Sequence, residues 1–343
     1  MGFHLSIFKS KSLAIDLGTA NTLIYSEKHK KIILNEPSVV AVEKETKKVL
    51  SVGNEAKEML GKTPSSIIAI KPLSAGVIAD YDITAAMLKY FIKKVFGRYN
   101  LFLPEIMLCV PIDVTDVEKR AVLEAALSAG AKVAYLIEEG RAAALGAGLD
   151  ISAPEGNMII DIGGGSTDVA ILSLGSTVVC KTIRTAGNNF DNDIIKYVKK
   201  THNLQIGERT AEEIKMKIGA ALPLEQDEGM IIKGRDLIMG LPKSVTINSE
   251  EVREAMMESL MQVIDCVKSV LEKAPPELAS DIVDNGIVMT GGGSLIRNFP
   301  EMISKYTNLP VRLADTPLES VVRGAGMALD MLDVLKKIDK AVR

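Results

Sequence analysis

The chain carries one short plan twice, about one domain length apart, and this repeat limits the possible folds more than any other feature. Leu13-Ala14-Ile15-Asp16-Leu17-Gly18-Thr19-Ala20-Asn21-Thr22 is an apolar strand running into an aspartate, a glycine and small polar residues. Met158-Ile159-Ile160-Asp161-Ile162-Gly163-Gly164-Gly165-Ser166-Thr167-Asp168 follows the same plan, with Val169-Ala170-Ile171-Leu172 as a return strand. The aspartates at 16 and 161 lie about 145 positions apart, close to the length of an ordinary domain. A supersecondary unit that recurs at this distance predicts two similarly built halves. The length of 343 residues agrees, being more than one ordinary core and enough for two.

Between the two markers, strand and helix patterns alternate. Ile106 to Val110 reads as a buried strand closed by Pro111, and Asp116 to Ala129 as a helix with Gly130 just past its end. Val133 to Ile137 is a further strand, and Arg141 to Leu149 a helix of small residues. Glu250 to Glu272 has a helical period stopped by Pro275-Pro276, Gly286 to Thr290 is a strand, and Ala325 to Val342 a terminal helix. Such alternation predicts an α/β protein with partly parallel sheets, divided as 1–150 and 151–343. Two charged stretches, about 31–70 and about 185–244, read as inserts on that frame. No low-complexity linker separates the halves, so the hinge is expected to consist of packed helices.

Three glycine-rich turns can hold an anion: Asp16 to Thr22, Asp161 to Asp168, and Thr290-Gly291-Gly292-Gly293-Ser294-Leu295. Glycine brings backbone N–H groups close to a phosphate, small hydroxyls add donors, and an aspartate at a strand end suits hydrated Mg²⁺. Other phosphate motifs fail on spacing. A P-loop ending in Gly61-Lys62-Thr63 needs glycine where Ala56 stands, and dinucleotide fingerprints starting at Gly163 or Gly291 need glycine where Asp168 or Ile296 stands. A net charge of −3 gives no basic footprint for nucleic acid. Cys109, Cys180 and Cys266 are odd in number and far apart, so neither a disulfide framework nor a zinc site is readable, which fits a reducing cytosol. No apolar run nears the roughly 18 residues that span a bilayer, and the short apolar start precedes Lys9 and Lys11, the wrong order for a secretory signal.

These turns resemble those of the superfamily that holds actin, sugar kinases and the large heat-shock chaperone ATPases. Within it, nearly the whole chain is similar to the MreB family of bacterial actins. The similarity is carried by Asp16 to Tyr25, Leu34-Asn35-Glu36-Pro37-Ser38-Val39-Val40-Ala41, Gly76-Val77-Ile78-Ala79-Asp80 and Gly207-Glu208-Arg209-Thr210-Ala211-Glu212-Glu213-Ile214-Lys215. The resemblance implies an actin-like fold of two related ribonuclease-H-like domains, each with an inserted subdomain, around an inter-domain nucleotide cleft. The terminal helix 325–343 would pack back on the first domain.

The resemblance also implies roles. Gly18, Thr19, Ala20, Asn21 and Thr22 would cradle ATP or ADP phosphates together with Gly163, Gly164, Gly165 and Ser166. Asp16 and Asp161 would organise Mg²⁺ through water. The segment Glu212, Glu213, Ile214 and Lys215 would meet ribose and adenine, with Gly291, Gly292, Gly293 and Ser294 closing the other side. Glu139 would orient the attacking water, helped by the Ser166 hydroxyl and Asp161. The protein would be a weak ATPase whose hydrolysis regulates filaments that shape the cell, in the cytoplasm at the inner face of the membrane. Its partners would be copies of itself, the inner leaflet, paralogous filament proteins and membrane morphogenesis proteins. A sugar kinase of the same superfamily is the alternative; it would need a catalytic base aimed at a substrate hydroxyl, and none is identifiable.

Two places depart from the family pattern. Glu139 is followed by Gly140-Arg141 where a proline and an apolar residue are usual, and Ser166-Thr167-Asp168 stands for two threonines and a glutamate. Serine lacks the methyl that restricts its rotamer, and Gly140 is expected to loosen the backbone under Glu139, so the reading predicts intact binding and slow hydrolysis. Leu101 and Phe102 form the apolar loop expected to dip into lipid. Phe3, Leu5, Ile7 and Phe8 with Lys9 and Lys11, and the basic end at Lys336, Lys337, Lys340 and Arg343, are expected to add weak attraction.

Overall fold

A computed structural model describes residues 12–96 and 103–332. Leu101, Phe102, the N-terminal apolar segment and the basic C-terminal residues expected at the membrane lie outside the described residues.

The first half runs β1 (Ser12–Leu17), β2 (Asn21–Ser26), β3 (Lys31–Pro37), β4 (Val40–Glu43), β5 (Val49–Val52), α1 (Asn54–Met59), β6 (Ile67–Ile70), β7 (Leu73–Ser74), β8 (Val77–Ile78), α2 (Tyr81–Phe96), β9 (Glu105–Val110), α3 (Asp116–Ser128), β10 (Val133–Glu138) and α4 (Glu139–Gly146). The second runs β11 (Asn157–Ile162), β12 (Thr167–Ser173), β13 (Ser176–Ile183), α5 (Gly187–His202), β14 (Leu204–Gln205), α6 (Glu208–Ile218), β15 (Gly229–Asp236), β16 (Pro242–Asn248), α7 (Ser249–Leu271), α8 (Pro276–Asn285), β17 (Ile287–Thr290), α9 (Phe299–Thr307), β18 (Val311–Leu313) and α10 (Ser320–Asp330).

Both halves are built on the same sheet. The first has strand order β10-β9-β1-β2-β3, and the second β18-β17-β11-β12-β13 read in the same sense. In each, the first three strands form an antiparallel meander, and two later strands add in parallel beside the first. Parallel addition needs a crossover, and helical segments supply it in both halves. The two repeats found in the sequence are therefore the central strands, β1 and β11, of two equivalent sheets.

Strand periodicity divides the core. Leu13, Ile15 and Leu17 of β1 face one apolar cluster, while Ala14 faces another; Met158, Ile160 and Ile162 of β11 face a third, while Ile159 joins the cluster of Ala14. That shared cluster unites the halves. It contains α4, with Ala142, Ala143, Ala144 and Leu145, and α10, with Val321, Val322, Ala325, Ala328 and Leu329. Small residues let these helices meet backbone to backbone. A Cβ on Gly146 would run into the Ser320 carbonyl, and one on Gly324 into the Ala142 carbonyl. The two halves are thus joined through α4 packed against α10.

The structure shifts several expected boundaries. Residues from 31 belong to the main sheet, because β3 pairs with β2; the small sheet β5-β4-β6 starts only at Val40. The second small sheet, β14-β15-β16, runs on to Asn248, past the expected 244. Its last strand leads into α7, where Asn248 caps the helix by accepting from Glu251 N. The last helix among the described residues begins at Ser320, five residues ahead of the expected start, and packs on α4 and on β1, β2 and β9.

Candidate functional site

The turns after β1 and β11 face each other. A Cβ on Gly164 would lie 2.7 Å from the Ala20 Cβ, and one on Gly165 would overlap the Thr19 hydroxyl. Only glycine at 164 and 165 therefore lets the second turn approach the first. Between and around them opens a cleft of about 590 Å³, lined by both turns, by Gly291, Gly292 and Gly293, and by Asp16, Glu139, Asp161, Glu212 and Lys215. Its size suits a nucleotide-sized ligand.

Hydrogen bonds fix each turn. Ser38 Oγ donates to Gly18 O at 2.6 Å, and Gly76 N donates to Thr19 Oγ1 at 3.0 Å. In the second turn Gly163 N donates to Ser166 O at 2.9 Å. The N-terminus of α5 sits beneath it, with Gly187 N and Asn188 N donating to Gly163 O and Gly164 O at 3.1 and 2.8 Å. The positive end of that helix therefore points at the glycine turn.

Four carboxyls crowd the cleft floor. Burial pushes Asp16 up to about 7. Asp161 is pushed well above the carboxylate range, by burial first and then by the charges of Asp168 and Asp16. Its Oδ1 is buried without a hydrogen-bond partner. Glu139 rises strongly too, through burial first and then through the charges of Asp168, Asp16 and Asp161. Asp168 reaches only about 6, because hydrogen bonds from Thr182 Oγ1 at 2.6 Å and Ile112 N at 3.3 Å favour its anion. Asp168 Oδ2, like Asp161 Oδ1, is buried without a hydrogen-bond partner.

An uncompensated group of buried acids is costly, and a cation relieves it. Among the described residues no three His, Cys, Asp or Glu side chains are grouped to ligate one metal directly. The donors fit an ion that keeps its water and shares ligand oxygens, as Mg²⁺ does.

The sequence-derived residues divide in two. Asp16, Gly18, Thr19, Ala20, Asn21, Glu139, Asp161, Gly163, Gly164, Gly165, Ser166, Glu212, Lys215, Gly291, Gly292 and Gly293 all line the cleft. Four others do not. Thr22 is buried behind its turn against Ser38 Oγ at 2.8 Å. Ser294 is buried and donates to Gly291 O, shaping the turn from below. Glu213 points to solvent and pairs with Lys217, and Ile214 enters the core. Helical spacing explains the last two: the face shared by Glu212 and Lys215 continues to Met216 and Gly219, not to the residues between.

Lys215 pairs with Asp191 at 2.8 Å and donates to Gly187 O at 2.9 Å, while Glu212 pairs across the cleft with Lys57 at 2.9 Å. Lys57, Gly76, Asn188, Asp191 and Arg297 line the cleft without having been read as site residues. They come from helices and loops without a glycine cluster, and only the folded chain brings them in. Gly140 is also not as expected. It lies buried in the first turn of α4, where a Cβ would meet Ile112 Cδ1 at 2.9 Å and Ala170 Cβ at 3.2 Å, so the backbone beneath Glu139 is packed tightly.

Two sheets of one topology, hinged through crossed helices and closing paired aspartate-glycine turns on one cleft, define an actin-like protein. Comparison with known proteins narrows this class. The family described as MreB/Mbl protein matches residues 10–337. The cell shape-determining protein Mbl of Bacillus subtilis is 47% identical over 96% of this chain and 98% of its own length. The cell shape-determining protein MreB of Escherichia coli is 48% identical over 95% of each chain. The crystal structure of Spiroplasma citri MreB5 bound to ADP superposes with a TM-score of 0.90 at 39% identity, covering 96% of this chain and 99% of that one. The chain belongs to the MreB/Mbl family of bacterial actins.

Proposed function

We propose that this chain binds ATP with Mg²⁺ between its two glycine turns, hydrolyses it slowly, and uses the nucleotide to control its assembly into filaments at the inner face of the membrane, where they act in cell shape. One observation carries the reading: two equivalent strands deliver aspartate-and-glycine turns to opposite walls of one cleft, with Asp161 Oδ1 buried and unpartnered between them. Structures of Spiroplasma citri MreB5 bound to ADP and to AMPPNP, and the cell-shape names of the relatives, support it.

In this reading backbone N–H groups of Gly18 to Asn21 and Gly163 to Ser166 hold the phosphates, and Asp16 and Asp161 hold Mg²⁺ through water. The cation supplies charge neutralisation at the phosphates. Glu139 fixes a water in line, with the Asp168 carboxyl beside it. Phosphoryl transfer depends mainly on such positioning. Glu212, Lys215 and Met216 on one wall and Gly291 to Gly293 on the other would receive ribose and base. Among the described residues no helix is long and apolar enough to cross a membrane. Membrane association would thus be peripheral, through Leu101 and Phe102, with filament repetition multiplying a weak contact.

Sedimentation with MgATP, MgADP or no nucleotide, with phosphate release followed in the same sample, tests this. Nucleotide-dependent pelleting with slow release is expected. Pelleting indifferent to nucleotide would overturn the reading. Replacing Leu101 and Phe102 by serine is expected to abolish liposome pelleting while leaving ATP binding unchanged.

A further inference from the structure

The first turn of α5 stands between the second glycine turn and helix α6. Gly187 N and Asn188 N donate to Gly163 O and Gly164 O at 3.1 and 2.8 Å, so these two residues fix the turn from beneath. On its other side Gly187 accepts through its carbonyl, from Lys215 Nζ of α6 at 2.9 Å. A Cβ at 187 would lie 3.2 Å from Gly163 O and 3.5 Å from Lys215 Nζ. Glycine there lets the turn and the lysine close on one residue from two sides.

Asp191, one turn further along α5, holds that lysine. Its carboxylate pairs with Lys215 at 2.8 Å, and the side chains of lysine and aspartate are only 14% and 11% exposed. Around them α5 and α6 share an apolar cluster, with Phe190 and Ile194 from one helix and Ala211, Ile214 and Ile218 from the other. A largely buried ammonium that loses its partner is left uncompensated, so Lys215 depends on Asp191 for its place against Gly187 O. The other end of the link lies in the first half. Glu208 and Glu212 of α6 pair with Lys71 and Lys57 at 2.6 and 2.9 Å. One helix therefore connects the first half, across the cleft mouth, to the start of α5 and so to the second glycine turn.

On the ATPase reading above, on which this rests, we propose that Asp191 is a positioning residue for hydrolysis. It acts through Lys215 and Gly187 to hold the Gly163–Ser166 turn against the terminal phosphate, so that the seat of α6 across the cleft mouth sets how well the turn works. Phosphoryl transfer is sensitive to small displacements of the groups that hold the transferred phosphate. Loss of the link is therefore read in turnover at saturating MgATP, and not in nucleotide affinity alone. A pair that only braced two helices would alter stability and leave saturated turnover unchanged.

A double-mutant cycle in the full chain tests it, with Asp191→Asn, Lys215→Gln and the two combined. Phosphate release is measured at saturating MgATP, pelleting is followed so that rates compare equally assembled samples, and MgADP affinity is measured by calorimetry. Asp191→Asn keeps the side chain's shape and removes its charge. It is expected to lower kcat about tenfold in the wild-type background, and by less than about twofold once Lys215 is already glutamine. Equal losses in both backgrounds overturn the proposal, because Asp191 then does not act through Lys215. So does an Asp191→Asn protein with wild-type kcat, whatever happens to its thermal midpoint or MgADP affinity. If Asp191→Asn fails to fold, Lys215→Gln alone decides: a loss of about tenfold in kcat supports the link, and wild-type kcat overturns it. Wild type that releases no phosphate at saturating MgATP overturns the ATPase reading and this inference together, whereas active wild type with unaltered variants overturns this inference alone.

Discussion

The carboxyls on the cleft floor carry the strongest constraint at the scale of single residues. Asp16 binds its proton far more tightly in the folded chain than in the unfolded one. Such a group stabilises the fold at low pH, and that contribution is lost as pH rises from the ordinary carboxyl range through about 7. Ligand-free protein is therefore predicted to lose stability between about pH 4 and 7, by up to about 4 kcal/mol from Asp16 alone. Asp16→Asn should flatten the pH profile of thermal unfolding and raise the midpoint at neutral pH. A wild-type midpoint that rises over that interval, or an Asp16→Asn profile as steep as wild type, would contradict this. The same balance gives the cleft a reason to take up a cation with its ligand.

The departures from the family pattern meet at one place. Asp168 and Ala170 alternate on β12, Ile112 N donates to Asp168, and Ile112 and Ala170 together fill the space a Cβ on Gly140 would need. Helix propensity favours Gly140→Ala by up to about 1 kcal/mol, but overpacking costs about 1–3 kcal/mol. Net destabilisation of about 1 kcal/mol is expected, read by urea unfolding, and Ile112→Val should relieve it. The slow hydrolysis proposed above would then have a different origin from a loosened backbone: Asp168, beside Glu139, is one methylene shorter than the glutamate usual in the family.

Among the elements, α4 and α10 form the closest-packed junction between the two halves. With backbones touching at Gly146 and Gly324, a methyl has nowhere to go. Gly324→Ala is expected to cost at least about 2 kcal/mol in chemical denaturation, more than any exposed substitution. An unchanged midpoint would show that the helices can separate there. Helix α6 works at the other end of the cleft, where Glu208 and Glu212 pair with Lys71 and Lys57 of the first half at 2.6 and 2.9 Å. Partly exposed pairs contribute little to stability, about 0–1 kcal/mol each. Lys57→Ala with Lys71→Ala should leave unfolding nearly unchanged yet release a fluorescent nucleotide several-fold faster, since both pairs span the cleft mouth. Unaltered release would separate these pairs from cleft opening.

The elements also show what the sequence could reveal. The two central strands and their turns were legible, because an apolar run ending in aspartate and glycine is a local pattern. Helix α7 was placed within a residue of both ends by its helical period and the prolines at 275 and 276, while its cap at Asn248 showed only in the structure. The start of the first insert was not, since Lys31 to Pro37 looks like any short strand until its pairing with β2 is known. Glu213 and Ile214 were read as part of a contiguous motif, whereas a helix presents only every third or fourth residue to the cleft. Lys57, Asp191 and Arg297 reach the cleft through long-range contacts that no local pattern encodes.

Taken as a whole, the molecule is one sheet topology used twice, with the ligand cleft at the junction and the hinge behind it. In the proposed function, a nucleotide touching both turns would bridge the two halves across that cleft. Repeated plan and separation foretold the duplicated sheets. The central claim is that the two turns grip one triphosphate together. Titration calorimetry of MgATP into the full chain tests it most directly, with Asp16→Ala and Asp161→Ala as paired variants. The account predicts one site per chain in wild type, and affinity lowered at least tenfold by either substitution. Equal heats in all three proteins, or none in wild type, would contradict it.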